Sequence, residues 1–256
     1  MFGRNLTLGQ YVDTGSVIHK LDPRAKLLSV IVIITELFPA KNYAQLMMWS
    51  VILYVVVRMS RLKLREIMRS ARAVMILAVM TFIFNMAGVY AGTGWEEALY
   101  RAILGMMKLI LVMMYGVMLP LTTSPMELTD GLDVMMRPLE RVGFPSQEFA
   151  LMMGMALRFI PLLGRETDKI IRAQLSRGAA LDQGNIFQRV RAFFPVLIPL
   201  FIMIFRSAEE TAFAMEARGY DGGRGRTRRQ PLKWSRSDTV AVIISVIMSV
   251  IIYNVL

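Results

Sequence analysis

Long stretches of the chain carry almost no charge, and this feature constrains the fold more than any other. Residues 74–87 contain no charged side chain, and residues 103–121 contain a single one, Lys108. A helix through such a stretch has no polar face for water, which favours a bilayer environment. The chain is nevertheless strongly basic, with a formal net charge of +11 at pH 7, although 55% of its residues are hydrophobic. Apolar and basic residues are therefore segregated, which predicts an all-α polytopic membrane protein.

Apolar segments predict about five transmembrane helices. Their ranges are Lys26–Phe38, Tyr43–Val57, Val74–Tyr90, Leu99–Leu121 and Thr239–Tyr253. A crossing needs roughly twenty apolar residues, so the first two must borrow flanking residues, thin the bilayer or lean on neighbouring helices. Glu36 and Lys108 fall within these spans. Because a mid-span lysine cannot reach the membrane surface, Lys108 is expected to face other helices or a polar partner.

Basic residues are unevenly distributed between the predicted connections, and this bias predicts the orientation. The third connection, residues 88–98, has no basic residue, whereas the second carries Arg58, Arg61, Lys63, Arg65, Arg69 and Arg72. Since basic connections remain in the cytoplasm, the N-terminus is predicted inside and, after five spans, the C-terminus outside. The predicted division is residues 1–121 for the first four spans, 122–236 for a cytoplasmic domain and 237–256 for the last span.

The cytoplasmic section is predicted to form three amphipathic helices. The first begins at a capping box of Ser124 and Glu127, with Pro125 at the first helical position, and stops near Gly143. The second runs from Pro145 and the third from about Phe187. Both of these long helices end in an Arg-Gly pair.

The apolar run 193–205 within the third helix is predicted not to cross the membrane. It has 13 residues, including two prolines, which is too short for a span. A crossing here would also leave the basic residues 224–236 outside. The run Arg224, Arg226, Arg228 and Arg229 has no interleaved aromatic side chain, so it favours contact with anionic headgroups over nucleic acid.

The two long helices end in the same short motif of a small residue, Arg and Gly. The first tip is Ser176, Arg177 and Gly178, and the second tip is Ala217, Arg218 and Gly219. Gly beyond a helix end is a common cap, and Arg there gains about 0.3–1 kcal/mol from the helix dipole. Each tip alone is therefore explained as a helix terminus. Because a projecting Arg also binds carboxylates bidentately, two matching tips favour docking onto a partner used twice.

The composition argues against most catalytic chemistry. The chain has no cysteine and one histidine, His19, so disulfides, thiolate chemistry and the usual zinc or haem sites are not expected. No phosphate-binding loop of the form G-x-x-x-x-G-K-[ST] occurs in the sequence. We predict no catalytic residue, no metal site and no cofactor, and ATP hydrolysis by this chain is not expected.

Four stretches of sequence resemble one known family. They are residues 19–27, in which Asp22 and Pro23 suit a helix N-cap and first helical position, residues 122–128, residues 156–161, and the two tips. In this order they are similar to the transmembrane T component (the EcfT and cobalt-transport Q-like family) of energy-coupling factor (ECF) transporters. The first tip departs from the family's Ala-Arg-Gly by having Ser176 in place of Ala.

The resemblance implies a non-catalytic scaffold in the cell membrane of a prokaryote. It implies that the two long helices cross, and that Arg177 and Arg218 each insert into one of two ABC-type ATPases, identical or different. A small membrane-embedded substrate-binding S component is the further partner implied, with a vitamin or a metal ion as cargo. The lipid bilayer surrounds the assembly, and no nucleic acid takes part.

Two other classes of function stay open at the level of sequence. A membrane enzyme acting on lipid could use Glu127, Asp130 and Asp133, although no nucleophile and base pair stands out. A self-sufficient secondary carrier should show polar residues in several spans or an inverted repeat. A scaffold would be inert alone, whereas an enzyme or a carrier would not.

Overall fold

The protein is helical throughout the part of the chain that the structure covers. The computed structural model describes residue 11 and residues 14–62, 64–179, 185–222 and 232–255. The helices are α1 (Pro23–Leu37), α2 (Tyr43–Ser60), α3 (Leu64–Thr93), α4 (Trp95–Thr122), α5 (Pro125–Met136), a 3-10 helix (Arg137–Val142), α6 (Ser146–Ser176), α7 (Ile186–Glu216) and α8 (Arg236–Val255). One compact unit contains α1 to α5 and α8, and a second contains the 3-10 helix, α6 and α7. This architecture confirms the predicted all-α, polytopic class.

Every predicted span coincides with a helix, but the helices differ in their suitability for crossing a membrane. Four segments among the described residues are long and apolar enough, namely Tyr43–Ser60, Trp95–Thr122, Phe187–Glu216 and Arg236–Asn254. Helix α1 has 15 residues, and α3 contributes the shorter apolar segment Val74–Gly88. The set of membrane-length helices therefore includes α7, which was not predicted as a span.

Helix α7 is where prediction and structure differ most. It continues for 31 residues, with Pro195 and Pro199 in its interior, and a helix of that length rises about 46 Å. The prediction that this segment is too short to cross the membrane is therefore wrong. Proline removes one N–H donor and bends a helix, but it does not end the helix when the flanking turns stay hydrogen-bonded. The basic residues 224–236 oppose a crossing whatever the length of α7. That α7 does not cross the membrane therefore stays a prediction.

The core of the first unit lies between α1, α2, α4 and α8. Trp49 and Tyr115 are almost fully buried, and their rings meet edge to face with centroids 6.0 Å apart. The Tyr115 hydroxyl donates to the carbonyl of Trp49 at 2.8 Å. Leu37, Leu46 and Ile252 belong to the same buried cluster. The aromatic pair therefore holds α2 against α4 through both packing and a hydrogen bond.

Two lysines join the ends of α1 to α4. Near the start of α1, the buried Lys26 ammonium donates to the carbonyls of Thr122 at 2.8 Å and His19 at 2.9 Å. At the other end, the Lys108 ammonium donates to the carbonyl of Phe38, the C-cap of α1, at 2.7 Å. The bonds to Thr122 and Phe38 satisfy carbonyls that the ends of α4 and α1 leave without partners. Helix α1 is therefore antiparallel to α4 and lies beside the second half of α4, from Lys108 to Thr122.

Candidate docking site

Both tips form the same helix-capping motif. In the first tip, Gly178 N–H donates to Leu175 O at 2.9 Å and Ala179 N–H donates to Gln174 O at 3.0 Å. In the second tip, Gly219 N–H donates to Glu216 O at 2.9 Å and Tyr220 N–H donates to Met215 O at 3.0 Å. This pair of bonds is the Schellman motif, in which the Gly takes the left-handed conformation. Arg177 and Arg218 therefore occupy the same position, the last residue before the turn.

The glycines are required by the backbone conformation of the tips. Gly178 and Gly219 have φ angles of +84° and +72°, and a Cβ added at either would meet no atom within 4 Å. Space is available, but side chains with a Cβ strain this region of backbone conformation. The turn directs the chain away from each helix, and it leaves both arginines exposed.

The cap alone does not distinguish the tips from other helix ends. Gly143 has φ +91°, and the same two bonds form there, from Gly143 N–H to Glu140 O and from Phe144 N–H to Leu139 O. The residue before that glycine is Val142 rather than Arg. The distinctive feature of the two tips is therefore the exposed guanidinium held at the cap position.

The two tips lie at opposite ends of a helix pair. Gln174, near the end of α6, donates through Nε2 to the carbonyl of Pro195 in the first part of α7 at 3.4 Å. A groove farther along is lined by Leu151 to Arg165 of α6 and by Glu210 to Arg218 of α7. The helices are therefore antiparallel. Because a helix rises about 1.5 Å per residue, the tips are roughly 30–40 Å apart.

Four charged side chains line the groove beside the second tip. Arg158, Arg165 and Arg218 line it together with Glu210. The structure shows no ion pair for Arg158 in the part of the chain that it describes. Arg165 of α6 lines the same groove as Glu210 and Arg218 of α7 because the two helices pack together. The spacing of these residues in the sequence could not predict this grouping.

The predicted N-cap at Asp22 joins two helices. Its carboxylate accepts from the backbone N–H of Arg24 at 2.9 Å and from the Arg24 guanidinium at 2.8 Å, with Pro23 at the start of α1. Its own N–H donates to Asp238 Oδ1 of α8 at 2.8 Å. Burial raises the pKa of the Asp22 carboxyl, but the bonds from Arg24 and its charge outweigh burial and hold the pKa below its usual value. The carboxylate is therefore stabilised in its charged form.

The predicted capping box at the start of α5 has the expected geometry. Glu127 N–H donates to Ser124 Oγ at 3.2 Å, and Ser124 N–H donates to Glu127 Oε2 at 3.2 Å. Pro125 is the first residue of α5. Of the carboxylates considered for a lipid enzyme, Asp130 is exposed and Asp133 is buried, so the two differ in access to solvent. Glu127 is already engaged in the cap.

Fold and site define the class of protein: an all-helical, multi-pass membrane protein with two long helices that end in exposed arginines. Over residues 14–230 the sequence matches the CbiQ family, described as cobalt transport protein. The chain therefore belongs to the CbiQ family, which confirms the resemblance seen in its motifs.

Individual relatives are similar over nearly the whole chain. The energy-coupling factor transporter transmembrane protein EcfT of Thermanaerovibrio acidaminovorans is 46% identical over 246 residues, covering 93% of this chain and 91% of that protein. The protein of the same name from Brevibacillus brevis is 43% identical over 261 residues, and that from Bacillus subtilis is 33% identical over 258 residues, each covering 97% of both chains.

Proposed function

We propose that this chain is the transmembrane scaffold of an ECF-type importer in a prokaryotic cell membrane. It holds two ABC-type ATPases through Arg177 and Arg218 and transmits their ATP-driven motion to a membrane-embedded S component. The chain hydrolyses no ATP itself. The cargo is a vitamin or a metal ion, and the S component binds it.

The repeated arginine cap is the observation that carries this proposal. Two exposed guanidiniums in identical Schellman turns present the same recognition element twice. The two tips are roughly 30–40 Å apart, because a helix rises about 1.5 Å per residue. One binding pocket does not extend over that distance. The arrangement therefore suits two separate pockets, as a pair of similar ATPase subunits would supply. The curated relatives bear the name of a transporter transmembrane protein, which is consistent with this role.

A rigid connection between the tips explains how motion could be transmitted. The first tip is the last turn of α6 and the second is the last turn of α7, and these helices pack together. When two docked subunits approach each other, the change in separation has to be taken up by α6 and α7. In this proposal the cytoplasmic domain is residues 122–236, the N-terminus is inside and the C-terminus is outside.

Charge reversal at the tips tests the proposal. Removing one anchoring arginine from an interface can cost on the order of 2 kcal/mol, roughly a thirtyfold loss of affinity. We expect Arg177→Glu or Arg218→Glu to lower the amount of ATPase that co-purifies in mild detergent, and the double variant to abolish uptake of the cargo. Quantitative mass spectrometry of the complex and an uptake assay in cells provide the two readouts.

Arg172→Glu is the matched control, because Arg172 is exposed and lies one turn before the first tip. It should leave ATPase recovery and uptake close to those of the unmodified protein, and all variants should insert into the membrane. Full uptake by the Arg177→Glu/Arg218→Glu double variant would contradict the docking role.

A further inference from the structure

The second tip shares a groove with two further arginines. The groove between α6 and α7 has a volume of about 710 Å³, and Arg158, Arg165 and Arg218 line it with Glu210. Arg158 and Arg165 are seven residues apart, so they lie on the same face of α6, two turns from each other. The exposed guanidinium at the second tip is therefore one of three that line a single concave surface.

The charges of this groove are unbalanced. Three guanidiniums and one carboxylate leave a net charge of +2 on one surface. None of these four groups forms an ion pair within the segments that the structure describes. The three guanidiniums repel one another, and a bound anion offsets this repulsion because it attracts all three. Arginine is well suited to such a role, because its planar guanidinium binds carboxylates bidentately.

The groove also has an apolar lining, which includes Phe159, Leu162 and Met215. Once an occupant covers the groove, its apolar walls exclude water and strengthen the interaction of each guanidinium with an anion. A segment that combines apolar and acidic side chains matches both features. Because Arg218 lines the same groove as Arg158 and Arg165, a protein bound at the second tip has these two residues beside it.

We propose that this groove binds an acidic segment of the ATPase docked at the second tip. Carboxylates of that subunit pair with Arg158 and Arg165 while Arg218 occupies its pocket. The proposal rests on the proposed function, because the occupant is the same ATPase. It adds a specific consequence: the second tip is held by residues of α6 as well as by the end of α7.

Site-specific photo-crosslinking in the assembled complex identifies the occupant. A benzophenone amino acid replacing Phe159 is placed in the groove, and one replacing Leu175 is placed beside the first tip, where that side chain is half exposed. We expect both positions to form adducts with an ATPase subunit. An ATPase adduct at Leu175 together with only a lipid adduct, another protein or no adduct at Phe159 would overturn this proposal and leave the proposed function intact. If neither position captures an ATPase, both proposals fail.

Neutral substitutions measure the contribution of the α6 arginines. The Arg158→Gln/Arg165→Gln variant keeps Arg218 and should release ATPase at lower sodium chloride concentration, with roughly tenfold weaker binding. Arg172→Gln removes a comparable exposed charge outside the groove and should not change the salt concentration of release. An unchanged release profile for the double variant would overturn the proposal, since binding through Arg218 would then not involve the groove.

Discussion

At the scale of single residues, Lys108 explains how a short first helix is accommodated. Lys108 lies near the middle of α4, and its ammonium binds the last carbonyl of α1, at Phe38. Helix α1 has 15 residues, which is about 22 Å, and the stretch of α4 from Lys108 to Thr122 is about 21 Å. The two lengths match because Lys26 binds Thr122 at the opposite end. The one charged residue in the apolar stretch 103–121 of α4 therefore caps the neighbouring helix α1.

Replacing Lys108 by Met should destabilise the protein. The substitution retains the length of the side chain but leaves the carbonyl of Phe38 without its donor, which costs about 1–3 kcal/mol. We expect the thermal unfolding midpoint in detergent to fall by several degrees. Lys41→Met is the control, because the Lys41 side chain is exposed in the nearby connection. A midpoint for Lys108→Met equal to that of the control would show that the bond to Phe38 contributes no net stability.

At the scale of elements, the antiparallel pairing of α6 and α7 determines what the tips can reach. Both tips are C-terminal ends, so an antiparallel pair separates them, whereas a parallel pair would place them together. The pairing is visible in the bond between Gln174 and Pro195 and in the groove that contains both Arg158 and Arg218. The two matching motifs are thereby placed at opposite ends of the helix pair.

The separation of the tips can be measured directly, because the chain has no native cysteine. Spin labels attached to Ser176→Cys and Ala217→Cys occupy equivalent positions in the two caps. We expect pulsed electron paramagnetic resonance to give a distance centred at roughly 30–40 Å. About 21 to 24 residues of helix separate the two labels along the α6–α7 pair. A distance below about 20 Å would contradict the antiparallel arrangement, because 20 Å corresponds to only about 13 residues of helix.

At the scale of the whole molecule, the orientation depends on whether α7 crosses the membrane. Five crossings place the two termini on opposite sides, whereas an additional crossing by α7 returns the C-terminus to the cytoplasm. The length and apolar character of α7 permit a crossing. The basic residues that follow α7 oppose it, because moving them across the membrane is unfavourable. We therefore retain the orientation with the C-terminus outside as a prediction.

Single cysteines test this orientation against a cysteine-free background. An impermeant maleimide applied to intact cells should label Glu96→Cys and Asn254→Cys, and it should label Arg58→Cys and Lys233→Cys only after permeabilisation. The unmodified protein has no cysteine and provides the zero level. Protection of Asn254→Cys in intact cells, with Glu96→Cys still labelled, would show that α7 crosses and that the C-terminus is inside.

The helical, membrane-bound class and the capped helix ends could be predicted from the amino-acid sequence alone. Charge-free runs, the Asp22-Pro23 and Ser124-Pro125 starts and the Arg-Gly ends are local signals, because caps and apolar periodicity involve residues a few positions apart. The helix from about Phe187 to the second tip was predicted, and α7 has this extent with Pro195 and Pro199 in its interior, but the local signals do not show what stabilises it at the two prolines. Local rules describe what a proline costs a helix, but they do not give the packing that compensates for it.

Which helix ends meet depends on contacts between residues far apart in the sequence. The partner of Lys108 is 70 residues away in sequence, and that of Asp22 is 216 residues away. Arg165 and Glu210 join Arg218 in one groove only because α6 and α7 pair antiparallel. Helix periodicity specifies which face of an element is polar, but the choice of neighbour and its direction depend on packing over the whole chain. For this reason the two tips could be located in the sequence, whereas their separation and the basic groove beside one of them could not.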